Sequence, residues 1–438
     1  MRSRMKYGLI AALALIASGG AAIPNPAGAN PASVPGIDAP ELAALGADAA
    51  GMTTRIIDVH DRLDPLASLT AGHEVHADRI LHMRIWYPAK VPAGKTPVTY
   101  SATLTNEKGT TPLTTAFTVP GIAYADAVPA GEHYPLILLS HGYNNDPVML
   151  SWLAENLATK GYVVVAPEHR DPPIWDRSTI PAALLTRPLD IIDAINAVRG
   201  GMLGKLADAS RMALVGYSMG GYGVLTVAGA RLDPTSAAVK ANPASLVADY
   251  TGKLAGKLVV PGLRAVVAIS PAGGPPWNAW GKGLEGVTTP LLVVVGSHDR
   301  TVGYDPGVRQ VFEGATHADR HMLVFVNAAH SIGTNPTPPE MLTSIWNQGW
   351  FADAVWRKER INAISTHFIT AFLDQHVKGE AAKASYLDVP SPASDPGGWT
   401  GDDGGHYAAM SKGGANPTWK GFWRGQQDGL ILEHRAAE

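Results

Sequence analysis

The chain contains no cysteine. That absence excludes disulfides, a thiolate nucleophile, cysteine-ligated metal and a lipoprotein attachment site, so the fold rests on its core alone. Charged residues are scarce, at 17%, and the net charge is only −3 with no basic cluster beyond the N-terminus. Nothing in this balance points to nucleic acid as a partner. No apolar run after the first residues is long enough to span a bilayer. No internal repeat or coiled-coil heptad is present either. What the chain does have is 438 residues with 46% hydrophobic content, ample for a large core. The length allows two or three domains, or one domain enlarged by insertions.

The N-terminus reads as a targeting segment. Arg2, Arg4 and Lys6 form a positive region, Leu9 to Ala17 an apolar one, and Ala27-Gly28-Ala29 a small-residue cleavage site. Residues 1–29 are therefore predicted to be a signal peptide, with an uncleaved anchor as the alternative. The expected location is periplasmic or secreted, in a bacterium, with no stable membrane span after cleavage. Residues 30–52, rich in Ala, Pro and Gly, are expected to form a flexible leader.

Residues 53–438 are expected to form one α/β domain. Thr53 to Asp64 and Asp78 to Tyr87 alternate like strands, the second stopping at Pro88. Val98 to Leu104 and Leu113 to Val119 flank Asn106-Glu107-Lys108-Gly109, which predicts a β-hairpin insertion near 97–119. Buried strands are then expected at Pro135 to Ser140, Tyr162 to Ala166, Met212 to Val215, Leu263 to Ile269, Leu291 to Val295 and Met322 to Val326. Helices are expected after Asn145-Asp146-Pro147, over Pro188 to Val198, and over Ile361 to Val377. Apolar strands separated by helices predict a mostly parallel sheet covered on both faces. A second insertion is expected at 233–262, and a Gly/Pro-rich tail wrapping the surface from about 384.

The chemistry centres on Gly216-Tyr217-Ser218-Met219-Gly220, which follows an apolar strand and opens a helix rich in small residues. G-x-S-x-G in that context is a nucleophile elbow, a turn sharp enough to lift the serine hydroxyl above the sheet edge. In such sheets the reactive groups gather at the C-terminal ends of the strands. Asp299 follows the strand ending at Val295, and His330 follows the strand ending at Val326. The order Ser…Asp…His is that of the α/β-hydrolases. Ser218 is the expected nucleophile, His330 its general base, and Asp299 the group that orients the imidazole. The N–H groups of Tyr143 and Met219 are the expected oxyanion donors. Tyr143, Trp277 and Trp280 are expected beside the substrate.

Neighbouring residues fit these roles less well. His298 adjoins Asp299 too closely, His317 precedes its strand, and Glu285 and Asp305 are the fallback acids. His141 is expected to brace the oxyanion loop by hydrogen bonds. His73, Glu74, His76 and His82 match no metal-ligand spacing and read as solvated histidines, so no metal or organic cofactor is expected. Trp346, Trp350 and Trp356 either wall a cleft or pack an insertion onto the core.

The segments Arg84-Ile-Trp-Tyr-Pro88, Pro135-Leu-Ile-Leu-Leu-Ser-His-Gly142, Glu168-His-Arg-Asp171 and Gly216 to Gly221 resemble α/β-hydrolases. The group they resemble includes platelet-activating-factor acetylhydrolase and the predicted dienelactone hydrolases, over about residues 80–377. The resemblance implies a serine esterase without metal or organic cofactor. One departure limits it. In the acetylhydrolase branch the acid follows the strand after the elbow, where this chain has Ser270-Pro-Ala-Gly-Gly-Pro-Pro276. An acid at Asp299 is more similar to dienelactone hydrolases and cutinase-like polyesterases, and the former use a cysteine that this chain lacks. The expectation is therefore an exported carboxylic-ester hydrolase acting on a small or polymeric ester. A peptidase or amidase on the same triad, and a non-catalytic binding protein of the same fold, remain alternatives.

Overall fold

The computed structural model describes residues 31–394, 418–423 and 425–438. The predicted signal peptide lies outside these residues, as does much of the tail. Among the described residues no helix is long and apolar enough to cross a membrane.

The strands are β1 Ala49–Leu63, β2 His76–Ala89, β3 Thr99–Thr105, β4 Thr114–Pro120, β5 Tyr124–Ala125 and β6 Tyr134–Ser140. They continue with β7 Val163–Pro167, β8 Ala207–Tyr217, β9 Leu263–Ile269, β10 Leu291–Gly296, β11 Arg320–Phe325 and β12 Leu430–Arg435. Ten of them form one sheet in the order β12-β11-β10-β9-β8-β6-β7-β2-β1-β5. The centre from β7 to β11 is parallel, while β2, β1 and β12 supply antiparallel pairs toward the edges. The helices are α1 Pro65–Ala71, α2 Ser151–Thr159, α3 Ile180–Arg199, α4 Met219–Val227, α5 Ala237–Lys240 and α6 Ala244–Thr251. They end with α7 Arg309–Gly314, α8 Ile345–Gly349 and α9 Lys358–His376.

Because strand side chains alternate, the apolar runs fill two cores at once. Leu136, Leu138, Leu214, Val266 and Val293 meet Ile191 and Ile195 of α3 and Val224 of α4 on one face. Ile137, Leu139, Val215, Val267 and Val294 meet Leu153 and Leu157 of α2 and Phe368 and Phe372 of α9 on the other. The β3–β4 hairpin forms its own two-stranded sheet and lays Tyr100, Leu104 and Phe117 onto this second core.

Three expectations are corrected. Helix α3 begins eight residues before Pro188, which lies inside it. A proline there withholds the N–H that would bond the Leu184 carbonyl. That carbonyl accepts the Tyr222 hydroxyl instead, at 2.9 Å. Residues 31–51 are docked rather than a loose leader, and β1 already starts at Ala49. Gly46 N–H donates to Thr159 Oγ1 at 2.8 Å and Leu42 N–H to His367 Nδ1 at 3.1 Å. The buried carboxylate of Glu155 receives the Ser33 hydroxyl together with Tyr100 Oη and the N–H groups of Ile122 and Ala123. Finally, the tail ends in a strand. β12 pairs antiparallel with β11, and Trp419 and Phe422 are buried against α9. The short apolar run Leu430-Ile-Leu432 after Gly429 carries that signal.

Burial also governs the acid response. The fold holds His169 down to about 4, through desolvation and Arg187, and His321 down to about 4, through desolvation and His434. His367 falls to about 3 through desolvation and Lys160, and His141 lies well below its ordinary value through desolvation and His169. Between their ordinary 6.5 and these folded values the unfolded chain binds protons that the fold refuses. Each such histidine removes about 1.4 kcal/mol of stability per pH unit. Asp193, raised to about 6 by desolvation, and Glu155, also raised by desolvation, act in the opposite sense. Four histidines outweigh them above pH 5. The urea midpoint is therefore expected to fall as pH drops from 7 to 5, and an unchanged or rising midpoint contradicts this.

Candidate active site

The elbow is built by backbone contact. Ser218 has φ 55° and ψ −117°, a conformation that few non-glycine residues adopt. Its N–H donates to the Ile269 carbonyl at 2.9 Å, and its own carbonyl accepts from Ala272 N–H at 3.0 Å. The turn closes because its flanks lack side chains. A Cβ on Gly216 would lie 2.3 Å from the Gly220 carbonyl oxygen, and one on Gly220 would lie 2.0 Å from that of Ser140.

The three expected residues meet across the strand ends. His330 Nε2 lies 3.0 Å from Ser218 Oγ, and His330 Nδ1 lies 2.7 Å from Asp299 Oδ2. Asp299 is buried, and its other oxygen accepts from the N–H groups of Thr301 and Val302 at 2.9 and 3.0 Å. Desolvation pushes its pKa up. The His330 charge and hydrogen bond, with those two N–H donors, outweigh it and hold the carboxyl below its ordinary value. The carboxylate is thus kept ionised beside the imidazole. His298 and His317 stay outside this relay, the latter bonded to the Glu285 carbonyl.

Met219 directly follows Ser218, and Tyr143 lies on the loop after Ser140, whose carbonyl packs against Gly220. Met219 opens α4, where a first-turn N–H has no intrahelical acceptor. The Tyr143 N–H has no hydrogen-bond partner among the described residues. The Tyr143 ring is 6% exposed, and its hydroxyl bonds Thr179 Oγ1 at 2.9 Å. Desolvation pushes that phenol up to about 12, so it stays protonated.

Trp280 requires a correction. It is 2% exposed, stacks on Tyr222 at 5.1 Å and donates Nε1–H to Thr226 Oγ1 at 3.0 Å. The ring braces α4 from behind instead of walling a cleft. Trp277 is half-buried on the loop that begins beside Ser218. Trp346 and Trp356 pack insertions, their Nε1–H groups bonded to the Thr105 and Val326 carbonyls.

Other contacts at the site carry no chemical motif. Tyr217, the variable residue of G-x-S-x-G, packs its ring 5.3 Å from that of His330 and donates its hydroxyl to the His330 carbonyl at 3.1 Å. Gly333 leaves room for it, since a Cβ there would lie 2.4 Å from the Tyr217 ring. Asp353 Oδ2 accepts from Ala329 N–H at 2.7 Å, and buried Lys358 donates to the Ser331 carbonyl. His141 is buried, with Nδ1–H donating to the Gly142 carbonyl and Nε2 accepting from His169 N–H. That is the bracing role expected of it. His76 bonds Glu74, and Arg170 donates to His82. Among the described residues Asp58, His60 and Asp78 bring ligand-type atoms within 4.8 Å of one another on the surface.

Comparison with known proteins agrees with this fold. A search of solved structures finds a ferulic acid esterase from Streptomyces cinnamoneus with a TM-score of 0.54 and 21% identity, covering 78% of this chain and 94% of that one. The chain therefore shares the fold of that esterase. The model of the PET hydrolase-like family matches residues 114–270. That span holds Tyr143 and Ser218 but ends before Asp299. Cutinase est2 of Thermobifida alba is 37% identical over 102 residues, which are 23% of this chain and 32% of that cutinase. Cutinase cut1 of Thermobifida fusca is 35% identical over 102 residues, 23% of this chain and 30% of its own length. The match thus spans about a third of the curated relatives.

The elbow's tolerance is directly measurable. Gly220→Ala is expected to lose about 3 kcal/mol of unfolding free energy, at the top of the range for overpacking. Gly256→Ala, with open space around its Cα, serves as the near-neutral comparison. Equal midpoints for the two variants in urea would remove the steric account of the turn.

Proposed function

We propose that this protein is an exported serine hydrolase that cleaves carboxylic esters through an acyl-enzyme. The observation that carries the reading is the unbroken Ser218–His330–Asp299 relay, at 3.0 and 2.7 Å. Ser218 Oγ attacks the ester carbonyl carbon while His330 Nε2 takes the hydroxyl proton. The carbonyl oxygen becomes an oxyanion between the N–H groups of Tyr143 and Met219. Collapse breaks the C–O bond to the alcohol, which leaves with the proton from His330. Water then attacks the acyl-serine, giving its proton to His330 and regenerating Ser218 as the carboxylic acid departs. Asp299 stays ionised throughout and stabilises each imidazolium.

Esters are favoured over amides by the relatives' descriptions: two cutinases, a PET hydrolase-like family and a ferulic acid esterase. Trp277, half-buried on the loop after β9, is the aromatic residue assigned here to meet an apolar substrate. Export is supported by Arg2, Arg4 and Lys6 ahead of the apolar run, with Ala27-Gly28-Ala29 beyond it.

Hydrolysis of a p-nitrophenyl ester series, with matched anilides, tests the reading. Ser218→Ala and His330→Ala are expected to lower kcat by roughly 10⁴–10⁶-fold with folding intact. Asp299→Asn is expected to lose about 10⁴-fold. Esters cleaved equally by wild type and Ser218→Ala would sink the assignment, and preferential cleavage of anilides would make the protein an amidase.

A further inference from the structure

The loop that carries the Tyr143 N–H is gripped from behind by a buried ion pair outside the triad. Arg187 on α3 is 1% exposed, and the Asp171 side chain just after β7 is 6% exposed. Arg187 Nη1 donates to the His141 carbonyl at 2.7 Å, and Nη2 donates to Asp171 Oδ2 at 2.5 Å. The same Asp171 oxygen accepts from Asn144 N–H at 2.9 Å. The Gly142 carbonyl accepts from His141 Nδ1–H at 2.7 Å and lies 3.5 Å from Arg187 Nη2. The peptides before and after Tyr143 are therefore both held.

Peptide planarity turns this into an orientation. The Gly142 carbonyl and the Tyr143 N–H belong to one trans peptide, so they point in opposite directions. Fixing the carbonyl against Arg187 and His141 aims the N–H the other way. Asn144, at φ 53°, is held in a left-handed backbone by its bond to Asp171. Stability does not account for the pair, because the desolvation of two buried charges roughly cancels their attraction. A planar guanidinium fork, in contrast, can hold two acceptors at a set angle, which an ammonium cannot. An oxyanion donor is useful only when it is aimed before the charge develops.

We propose that Arg187 and Asp171 are positioning residues that preorganise the Tyr143 half of the oxyanion hole. The inference rests on the serine-esterase reading above. Neither side chain touches the reacting atoms, so each acts through the loop.

The test uses Arg187→Met/Asp171→Leu, which replaces the pair by apolar groups of similar size, and Arg187→Lys, which keeps the charge but loses the fork. Both are assayed with p-nitrophenyl butyrate, with a trifluoromethyl ketone that forms a tetrahedral adduct, and by urea denaturation. The expected result is a drop in kcat of roughly 10–100-fold, less than the loss of a whole donor. KM should stay within about twofold while ketone affinity weakens by the same factor as kcat, the mark of an interaction made only in the transition state. The double variant should unfold near the wild-type urea midpoint. A purely structural role predicts loss of midpoint with ketone affinity kept per folded molecule, and that outcome overturns the proposal. If the double variant does not fold, Arg187→Lys decides on the same two ratios. A wild type that cleaves no ester brings down the underlying reading and this inference with it; wild-type cleavage matched by the variants brings down the inference alone.

Discussion

The backbone of Ser218 is the constraint on which the rest depends. A residue in its conformation stores on the order of 1–3 kcal/mol, and it persists only if the surroundings leave no alternative. Here the surroundings are main chain. Strand β8 and helix α4 approach so closely that Gly216 and Gly220 touch neighbouring backbone where any Cβ would intrude. Bonds from Ser218 to Ile269 and Ala272 tie the turn to β9 on the other side. The outcome is a hydroxyl placed at the sheet edge by backbone geometry, within hydrogen-bond reach of His330.

The groups expected to act with that hydroxyl come from loops, and each loop is pinned by polar side chains beneath it. Asp353 and Lys358 secure the turn that presents His330. Arg187 and Asp171 secure the turn that presents Tyr143. Tyr217 links the two halves, since it sits in the elbow and bonds the His330 carbonyl. The apolar cores on either face of the sheet supply the stability, and these few polar contacts supply the aim. The same burial that fixes the loops also depresses several histidines, so the geometry and the acid sensitivity of the fold have one cause.

Much of this is legible in the sequence because it depends on local pattern. The strands are short apolar runs, the elbow is a motif, and the meeting of Ser218, Asp299 and His330 follows from what stands after each strand. The misreadings share a physical origin: they depend on partners distant along the chain. Pro188 lies within a helix only because Tyr222 satisfies the carbonyl it orphans. Residues 31–48 are docked because Glu155, Thr159 and His367 receive them. Trp280 turns inward because Thr226 and Tyr222 are there to meet it. The positioning groups Arg187 and Lys358 look like ordinary helix residues, and only the fold places them beneath the reactive loops. Asp171 stands in a quoted segment, yet its role emerges only with Asn144 and Arg187 beside it.

The central claim is that one serine among many is activated, and active-site labelling tests it most directly. Purified protein is incubated with a fluorophosphonate, and the adduct is located by peptide mass spectrometry. The account predicts a single phosphonyl group on Ser218, formed far more slowly when His330 is replaced by alanine. An unlabelled protein, a label on another serine, or labelling of Ser218 at an unchanged rate without His330 would contradict it.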